Sequence, residues 1–555
     1  MISIKNKYSL LFILSVFVFQ AAIILYPGWR EDDAVVFLIR LKNNLFGDAL
    51  DRFSFENPSD DRFTPFYYFG YQLISFFTFK PFFFFLYNLF LSLSTLILLQ
   101  IIRIKLKLKY WPVFIFLVFV PGYADSFYQI VNPEKELIFF WCLFLFTIMT
   151  LLDNESNKHR SIILMFISFP LIIFSLFLKE TTFIILLTFC SSLLILNSKL
   201  LPDSIHNINF NIKIKYVLYT GLILSLSFLV LFFIFTSSAP DTEGYHYLLT
   251  PADSIVTRIM FSVKALILYA ITDPLLVLLL PILFFYSVYQ RVALSKDIFS
   301  ENRIRYSTFI DACAITALSL VAAYIVLGFH GFRYLLPAYP FGLIALAAYL
   351  QIYVPSIKKY CKTLYIFIPS IVLVILLVNS IFSAINLAVF YKVSSYNFMQ
   401  YKDVLIQNVN NINLNFNNLI SFYIPGKSNL WMLYTAARHK DILSFYEVDI
   451  DHIKFEYNNA NHNWVEQSKE SGAKPNLKKG DILLILPNST ISQDEILSNL
   501  RGLRLREIIH TQSPNYFEIP EIRHLLKYIM LKINPTLLGT RMVSREVDYA
   551  IYEVL

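Results

Sequence analysis

Residues 136–196 read ELIFFWCLFLFTIMTLLDNESNKHRSIILMFISFPLIIFSLFLKETTFIILLTFCSSLLIL: three apolar runs cut by two short polar insertions, Asn154–Arg160 and Lys179–Thr182. Each run approaches the ~20 residues that a helix needs to cross ~30 Å of hydrocarbon, and carries no charge in its interior. The insertions are too short to fold by themselves. The stretch therefore reads as three consecutive membrane helices joined by tight turns.

Working outward, the same pattern recurs from residue 8 to about residue 390. Eleven spans are predicted, at 8–26, 81–102, 111–124, 136–152, 161–178, 181–197, 216–236, 262–289, 307–327, 334–353 and 363–390. The first follows Lys5 and Lys7 but lacks a small-residue cleavage site, so it reads as an uncleaved anchor. Composition agrees: of 555 residues 56% are hydrophobic and only 15% charged, against about 25% in soluble domains. Disordered, collagenous, coiled-coil and disulfide-rich classes are excluded. Cys142, Cys190, Cys313 and Cys361 lie in or beside apolar stretches without metal-ligand spacing and read as small core fillers.

A net charge of +8 would suggest nucleic acid as a partner of a soluble protein, but here the position of each charge matters more. With Thr64–Phe79 taken as a re-entrant or surface-lying segment, loops on the N-terminal side of residues 1–390 hold 18 Lys and Arg against 5 acids. The opposite side holds 11 against 16. The positive-inside rule then puts the N-terminus in the cytoplasm and the C-terminus outside, and removes nucleic acid as a partner. A multi-pass protein of a bacterial plasma (inner) membrane is expected.

Residues 391–555 carry 18 basic and 17 acidic side chains and read as a separate extracytoplasmic domain. Strand-like runs at Leu419–Ile424, Asp481–Leu486, Leu505–His510 and Val547–Val554 alternate with helical spacing at Leu430–His439, Gln493–Leu500 and Pro520–Ile533, which predicts an α/β layer fold. The last helix sets Arg523, Lys527 and Lys532 beside leucines, and reads either as a core helix or as one resting on anionic headgroups. No phosphate-binding glycine loop is present.

The outer loop, residues 27–80, holds eight carboxylates between Glu31 and Asp61, including the run Glu31-Asp32-Asp33. One reading is a solvated acidic turn. The other is a general base facing the outer leaflet, with an oxygen-liganded divalent cation, magnesium or manganese, at Asp32 and Asp33, since adjacent carboxylates repel unless one is protonated or a cation sits between them.

Asp32-Asp33-Ala34 beyond the first span, then Gly47, then Phe63-Thr64-Pro65-Phe66-Tyr67-Tyr68, resembles the GT-C class of integral-membrane glycosyltransferases, to which protein O-mannosyltransferases and lipid A aminoarabinose transferases belong. Asp33 stands where Glu is common, and Phe37 near a position often held by Tyr. The resemblance covers residues 1–390. It implies Asp32 as catalytic base, with Asp33 beside it, and outer-face Lys and Arg holding the phosphate of a lipid-linked donor. Glu31 and Asp61 join as substrate-binding candidates.

Three further stretches put charge at the outer boundary, where it is expensive and often functional. They are Asn132-Pro133-Glu134-Lys135-Glu136, Lys179-Glu180-Thr181-Thr182, and Gly328 to Pro337 with His330 and Arg333. Lys179 and Glu180 read equally as a local turn pair, and His330 and Arg333 as interfacial snorkelling. Under the resemblance, Lys179 and Arg333, with Lys135 or His330, stabilise a departing phosphate, and Glu180 helps to hold substrate. The expected reaction moves a sugar from a polyprenyl-phosphate donor to a hydroxyl of a glycan, lipid or protein acceptor, with inversion. A polymerase or ligase of lipid-linked surface glycans, and a transporter or flippase, are the competing readings. Asp311 within a span and a helix break at Asp273-Pro274 are the features that a transporter would use.

Overall fold

The structure, a computed structural model, describes residues 4–25, 28–30, 66, 69–130, 132–153, 158–198, 212–238, 255–293, 304, 306–329, 331–360, 364–412, 419–423, 439, 442–448, 454–458, 464–466, 479–485, 504–511, 519–522, 525 and 549–555. The chain divides into two compact units, one of Met1–Leu25, Phe46–Leu73 and Phe84–Leu387, the other of Tyr26–Leu45, Ile74–Phe83 and Ala388–Leu555.

The first unit is helical. In chain order its helices are α1 (Ile4–Ile24), α2 (Phe69–Ser75), α3 (Pro81–Lys105), α4 (Trp111–Ile115), α5 (Pro121–Phe127), α6 (Glu134–Asp153), α7 (Lys158–Leu178), α8 (Thr182–Leu196), α9 (Ile212–Ser238), α10 (Ile255–Thr272), α11 (Leu280–Ala293), α12 (Ser307–Val326), α13 (Tyr339–Tyr360) and α14 (Leu364–Ile412), which continues into the second unit. Among the described residues eight helices are long and apolar enough to cross a bilayer, with Leu11–Ile24 and Thr182–Leu196 shorter apolar helices. The fold is that of a polytopic α-helical membrane protein.

Two of the eleven expected spans break partway along, and a third, 334–353, begins in a 3-10 turn, Phe332–Ala338, ahead of α13. Residues 111–124 divide into α4, a 3-10 turn at Phe116–Phe119, and α5. Pro121 has no N–H and disfavours helix at the residue before it, and Val120 is indeed extended at φ −93° and ψ 143°. Residues 262–289 break at Asp273, after which a π-helical turn, Leu275–Leu279, leads into α11. The polar groups at the break are satisfied by neighbours. Ser380 donates to the Thr272 carbonyl at 2.7 Å, Asn379 to that of Ile271 at 3.3 Å, and Tyr339 and Thr272 donate to the Asp273 carboxylate at 2.8 and 2.7 Å. Among its described residues the Thr64–Phe79 segment contributes α2, seven residues or about 10 Å of helix, which by itself is too short to cross.

The most enclosed span is Phe332–Val354, whose window is 94% buried, against 28% for Ile212–Ile234 at the periphery. Its small residues explain this: Gly342, Ala345, Ala347 and Ala348 let neighbouring backbones approach, and Gly342 packs against Leu276 and Ala317. Arg291 of α11 forms a two-toothed pair with Asp311 of α12, its second bond 3.0 Å long, and Tyr349 of α13 donates to the same carboxylate at 2.8 Å.

The second unit holds a six-stranded mixed sheet of order β3-β2-β1-β4-β6-β5, with β1 Leu419–Tyr423, β2 Lys454–Asn458, β3 Trp464–Glu466, β4 Ile482–Ile485, β5 Leu505–His510 and β6 Ala550–Val554. β1 runs parallel to β2 and β4; the other pairs are antiparallel. β4 is buried along its whole length, as its unbroken apolar run requires of a central strand. Gly480, at φ +91°, turns the chain into β4. β2 and β3 escape the sequence reading because neither LysPheGluTyrAsn nor TrpValGlu forms a distinct apolar run. Of the three expected helices here, Leu430–His439 and Gln493–Leu500 lie outside the described residues apart from His439, as does most of Pro520–Ile533. A further stretch of helix stands where none was expected. Phe398, Tyr401, Leu405 and Val409, spaced at three or four, extend α14 past residue 390 and are fully buried, with Tyr401 stacked on Tyr549 at 4.6 Å.

Candidate functional site

Three polar stretches far apart in sequence meet in the helical unit. Glu134 opens α6, whose first helical bond runs from Leu137 to the Pro133 carbonyl at 3.0 Å. An acid there complements the helix N-terminus. Lys179 lies in the tight turn from α7 to α8, closed by a bond from Thr182 N to its own carbonyl at 3.1 Å. Arg333 sits on a 3-10 turn, Phe332–Ala338, that leads into α13.

Two glycines set that last turn. α12 ends in a Schellman motif in which Gly328, at φ +72°, donates to Ile325 and Phe329 donates to Tyr324 at 3.1 Å. Gly122 of α5 lies against the Phe332 carbonyl with no room for a Cβ, so the backbone carrying Arg333 approaches α5 closely.

The three charges share one carboxylate oxygen. Lys179 Nζ donates to Glu134 Oε1, and Arg333 Nε lies 3.7 Å from the same atom. Both cations also face one aromatic ring, that of Tyr334, with Lys179 Nζ 4.8 Å and Arg333 Cζ 5.5 Å from its centroid. Tyr324 stacks on Tyr334 at 5.2 Å and donates to Thr181 Oγ1 at 2.9 Å, which ties α12 to the turn bearing Lys179. Burial disfavours a charge on Lys179, but the adjacent Glu134 outweighs it and holds its pKa above the ordinary lysine value. Glu134 and Lys179 are almost fully enclosed, whereas 32% of the Arg333 side chain is exposed. Glu134 Oε2 is buried and has no hydrogen-bond partner.

Of the residues expected from sequence, Lys179 and Arg333 are therefore together, and Glu180 is buried next to Lys179 in the turn. Lys135 is not with them. Its ammonium donates to the carbonyls of Gln129, Ile130 and Asn132 at 3.0, 2.8 and 2.6 Å, and lies 5.1 Å from the Tyr71 ring. Three N–H donors on three carbonyls make it a clasp of the 129–132 loop. Glu136 accepts from Tyr87 at 2.9 Å. Successive helical positions turn about 100°, so Glu134, Lys135 and Glu136 face three directions and only one meets Lys179.

Glu134, Tyr324 and Tyr334 complete the cluster without having been singled out from sequence. Glu134 was legible only as a member of the Asn132–Glu136 stretch. Glu31, Asp32, Asp33, Asp61 and His330 lie outside the described residues, as do Gly47, Phe63–Pro65, Tyr67 and Tyr68. In the second unit, the residues just before the acid run are held on α14: Ser395 donates to the Trp29 carbonyl at 3.3 Å, and Arg30 lies over the Tyr391 ring at 4.4 Å. Among the described residues no group of three or more His, Cys, Asp or Glu comes together to hold a metal ion.

No family profile and no curated protein matches the sequence. The fold is similar to a crystal structure of ArnT from Cupriavidus metallidurans bound to undecaprenyl phosphate, at 9% identity over 98% of this chain and 97% of that one, with a TM-score of 0.41. A likeness that loose does not bear on activity.

Proposed function

We propose that this protein is a membrane glycosyltransferase that moves a sugar from a polyprenyl-phosphate-linked donor to an acceptor hydroxyl on the extracytoplasmic face, with inversion. The observation that carries the reading is the convergence of Lys179 and Arg333 on one carboxylate and one aromatic face, with Arg333 part-exposed. Paired cations at helix ends in a low-dielectric setting are suited to a phosphate on which charge grows as a sugar departs. On this reading Lys179 and Arg333 hold that phosphate.

The other half of the reaction is deprotonation of the acceptor, whose hydroxyl pKa lies far above neutrality, so a base must take its proton as the new bond forms. The resemblance assigns that task to Asp32; Asp33 or Glu31 would orient the acceptor or a metal. A divalent cation at Asp32 and Asp33 belongs to the same proposal and rests on the acid run alone. Asp32→Asn is expected to abolish transfer of a radiolabelled sugar from polyprenyl phosphate in membranes, with unchanged expression and melting temperature; retained transfer overturns the assignment. Chelation by EDTA separates the metal-dependent from the metal-free version.

The two features named for a transporter, a buried acid and a broken helix, are each bonded to neighbouring side chains. Asp311 is tied up by Arg291 and Tyr349, and the break at Asp273 has its carbonyls and carboxylate satisfied by side chains.

A further inference from the structure

We infer that Glu134 Oε2 receives a hydroxyl of the group esterified to the phosphate, so that the cluster reads anion and hydroxyl together. The inference rests on the phosphate-holding role proposed for Lys179 and Arg333.

Glu134 is unevenly used. Oε1 takes the ammonium of Lys179 and lies near Arg333, while Oε2 is buried with no hydrogen-bond partner. A carboxylate oxygen shut away from water without a donor is unfavourable, and native interiors rarely keep one unless something else fills the place. The missing partner must donate a hydrogen bond. Electrostatics narrows it further, because a metal ion or ammonium group would stand beside two cations already sharing this carboxylate. A neutral hydroxyl meets no such repulsion. A phosphate on Lys179 and Arg333 would put the alcohol-derived part of a phosphodiester next to Glu134, so a polyhydroxylated group such as a sugar supplies the donor in the right neighbourhood. Glu136 also has an oxygen without a partner, but no cation pair beside it to hold an anion.

Two phosphodiesters of equal charge test this: farnesyl phosphoryl glucose and cyclohexyl farnesyl phosphate, which has the same ring size and no hydroxyl. Binding is measured on the purified full-length protein in nanodiscs. A hydrogen bond to a charged acceptor predicts about tenfold or more preference for the glucosyl diester in the wild type. Glu134→Ala should reduce that preference to within about twofold; the ratio of the two diesters is the readout, because any change in how Lys179 and Arg333 hold the shared phosphate affects both alike. Should the alanine variant fail to fold, Glu134→Gln keeps the shape and is expected to lower the preference to a few fold, since a neutral acceptor forms the weaker bond. Equal binding of the two diesters by the wild type, or a preference that survives at position 134, overturns this inference while leaving the phosphate site standing. Failure of the wild type to bind either diester overturns both.

Discussion

Two buried charge clusters among the described residues of the helical unit are built differently. Arg291 and Asp311 meet two tooth to two tooth, each side chain at most 4% exposed, with Tyr349 donating to the same carboxylate. Lys179, Arg333 and Glu134 instead put two cations on one oxygen, leave the other oxygen without a partner, and keep a third of Arg333 exposed. The first arrangement is complete in itself. Its charges balance and its bonds close, which suits a clasp joining α11, α12 and α13. The second sets two cations on one carboxylate oxygen and keeps an acceptor with no hydrogen-bond partner, the arrangement that a binding site for a hydroxylated anion needs.

The largest expected effect comes from breaking the closed cluster. Arg291→Met leaves Asp311 buried without a cation, which should cost about 3–5 kcal/mol and lower the melting temperature in detergent. The double variant Arg291→Met with Asp311→Asn should recover much of that loss, because no lone charge remains; a double variant as unstable as the single one would mean that Arg291 acts by packing alone. At the open cluster, Lys179→Met should cost less, about 1–3 kcal/mol, because Arg333 stays near Glu134. It should nonetheless weaken binding of farnesyl phosphate by about tenfold or more. If Lys179→Met destabilises as much as Arg291→Met and leaves binding unchanged, the contrast between clasp and site collapses.

Gly122→Ala adds a methyl group against the Phe332 carbonyl and should cost about 1–3 kcal/mol. It should also weaken farnesyl phosphate binding by shifting the turn that carries Arg333, an effect that a substitution near Arg291 should not produce. The smallest effect is expected from Tyr349→Phe. It removes one hydrogen bond to a carboxylate that keeps its arginine, for about 1–2 kcal/mol in melting experiments and no change in anion binding.

Much of the architecture was legible in the residues. Runs such as Ser161–Leu178 and Ser307–Val326 announce their helices because a backbone in hydrocarbon must satisfy its own hydrogen bonds. The edges of that logic show at Pro121 and Asp273. The hydropathy of residues 111–124 and 262–289 says nothing of where a helix winds differently; Pro121 and Pro274, each without an N–H to continue the helix, mark the places. The helical stripe Phe398, Tyr401, Leu405 and Val409 is present in the sequence, but the rise in charge near residue 390 masks its period.

The candidate site was less legible. Lys179 and Arg333 stood out as charges at helix ends, which a low-dielectric setting makes expensive unless they are used. Lys135 stood out for the same reason and proves to clasp three carbonyls. Its neighbour Glu134 takes the place beside Lys179: opposite charge favours an acid there, and the rotation of about 100° per residue selects Glu134 and turns Glu136 toward Tyr87.

Sequence alone therefore determined that the chain enters a membrane many times and that a mixed α/β domain follows, because both are written in the local periodicity of apolar residues. Only the tertiary structure decided which charges meet. Glu134, Lys179 and Arg333 are separated by 45 residues or more along the chain. Their partnership depends on how α5, α6, α12 and the turn before α13 pack, and packing of that kind is a property of the whole fold that no stretch of sequence carries by itself.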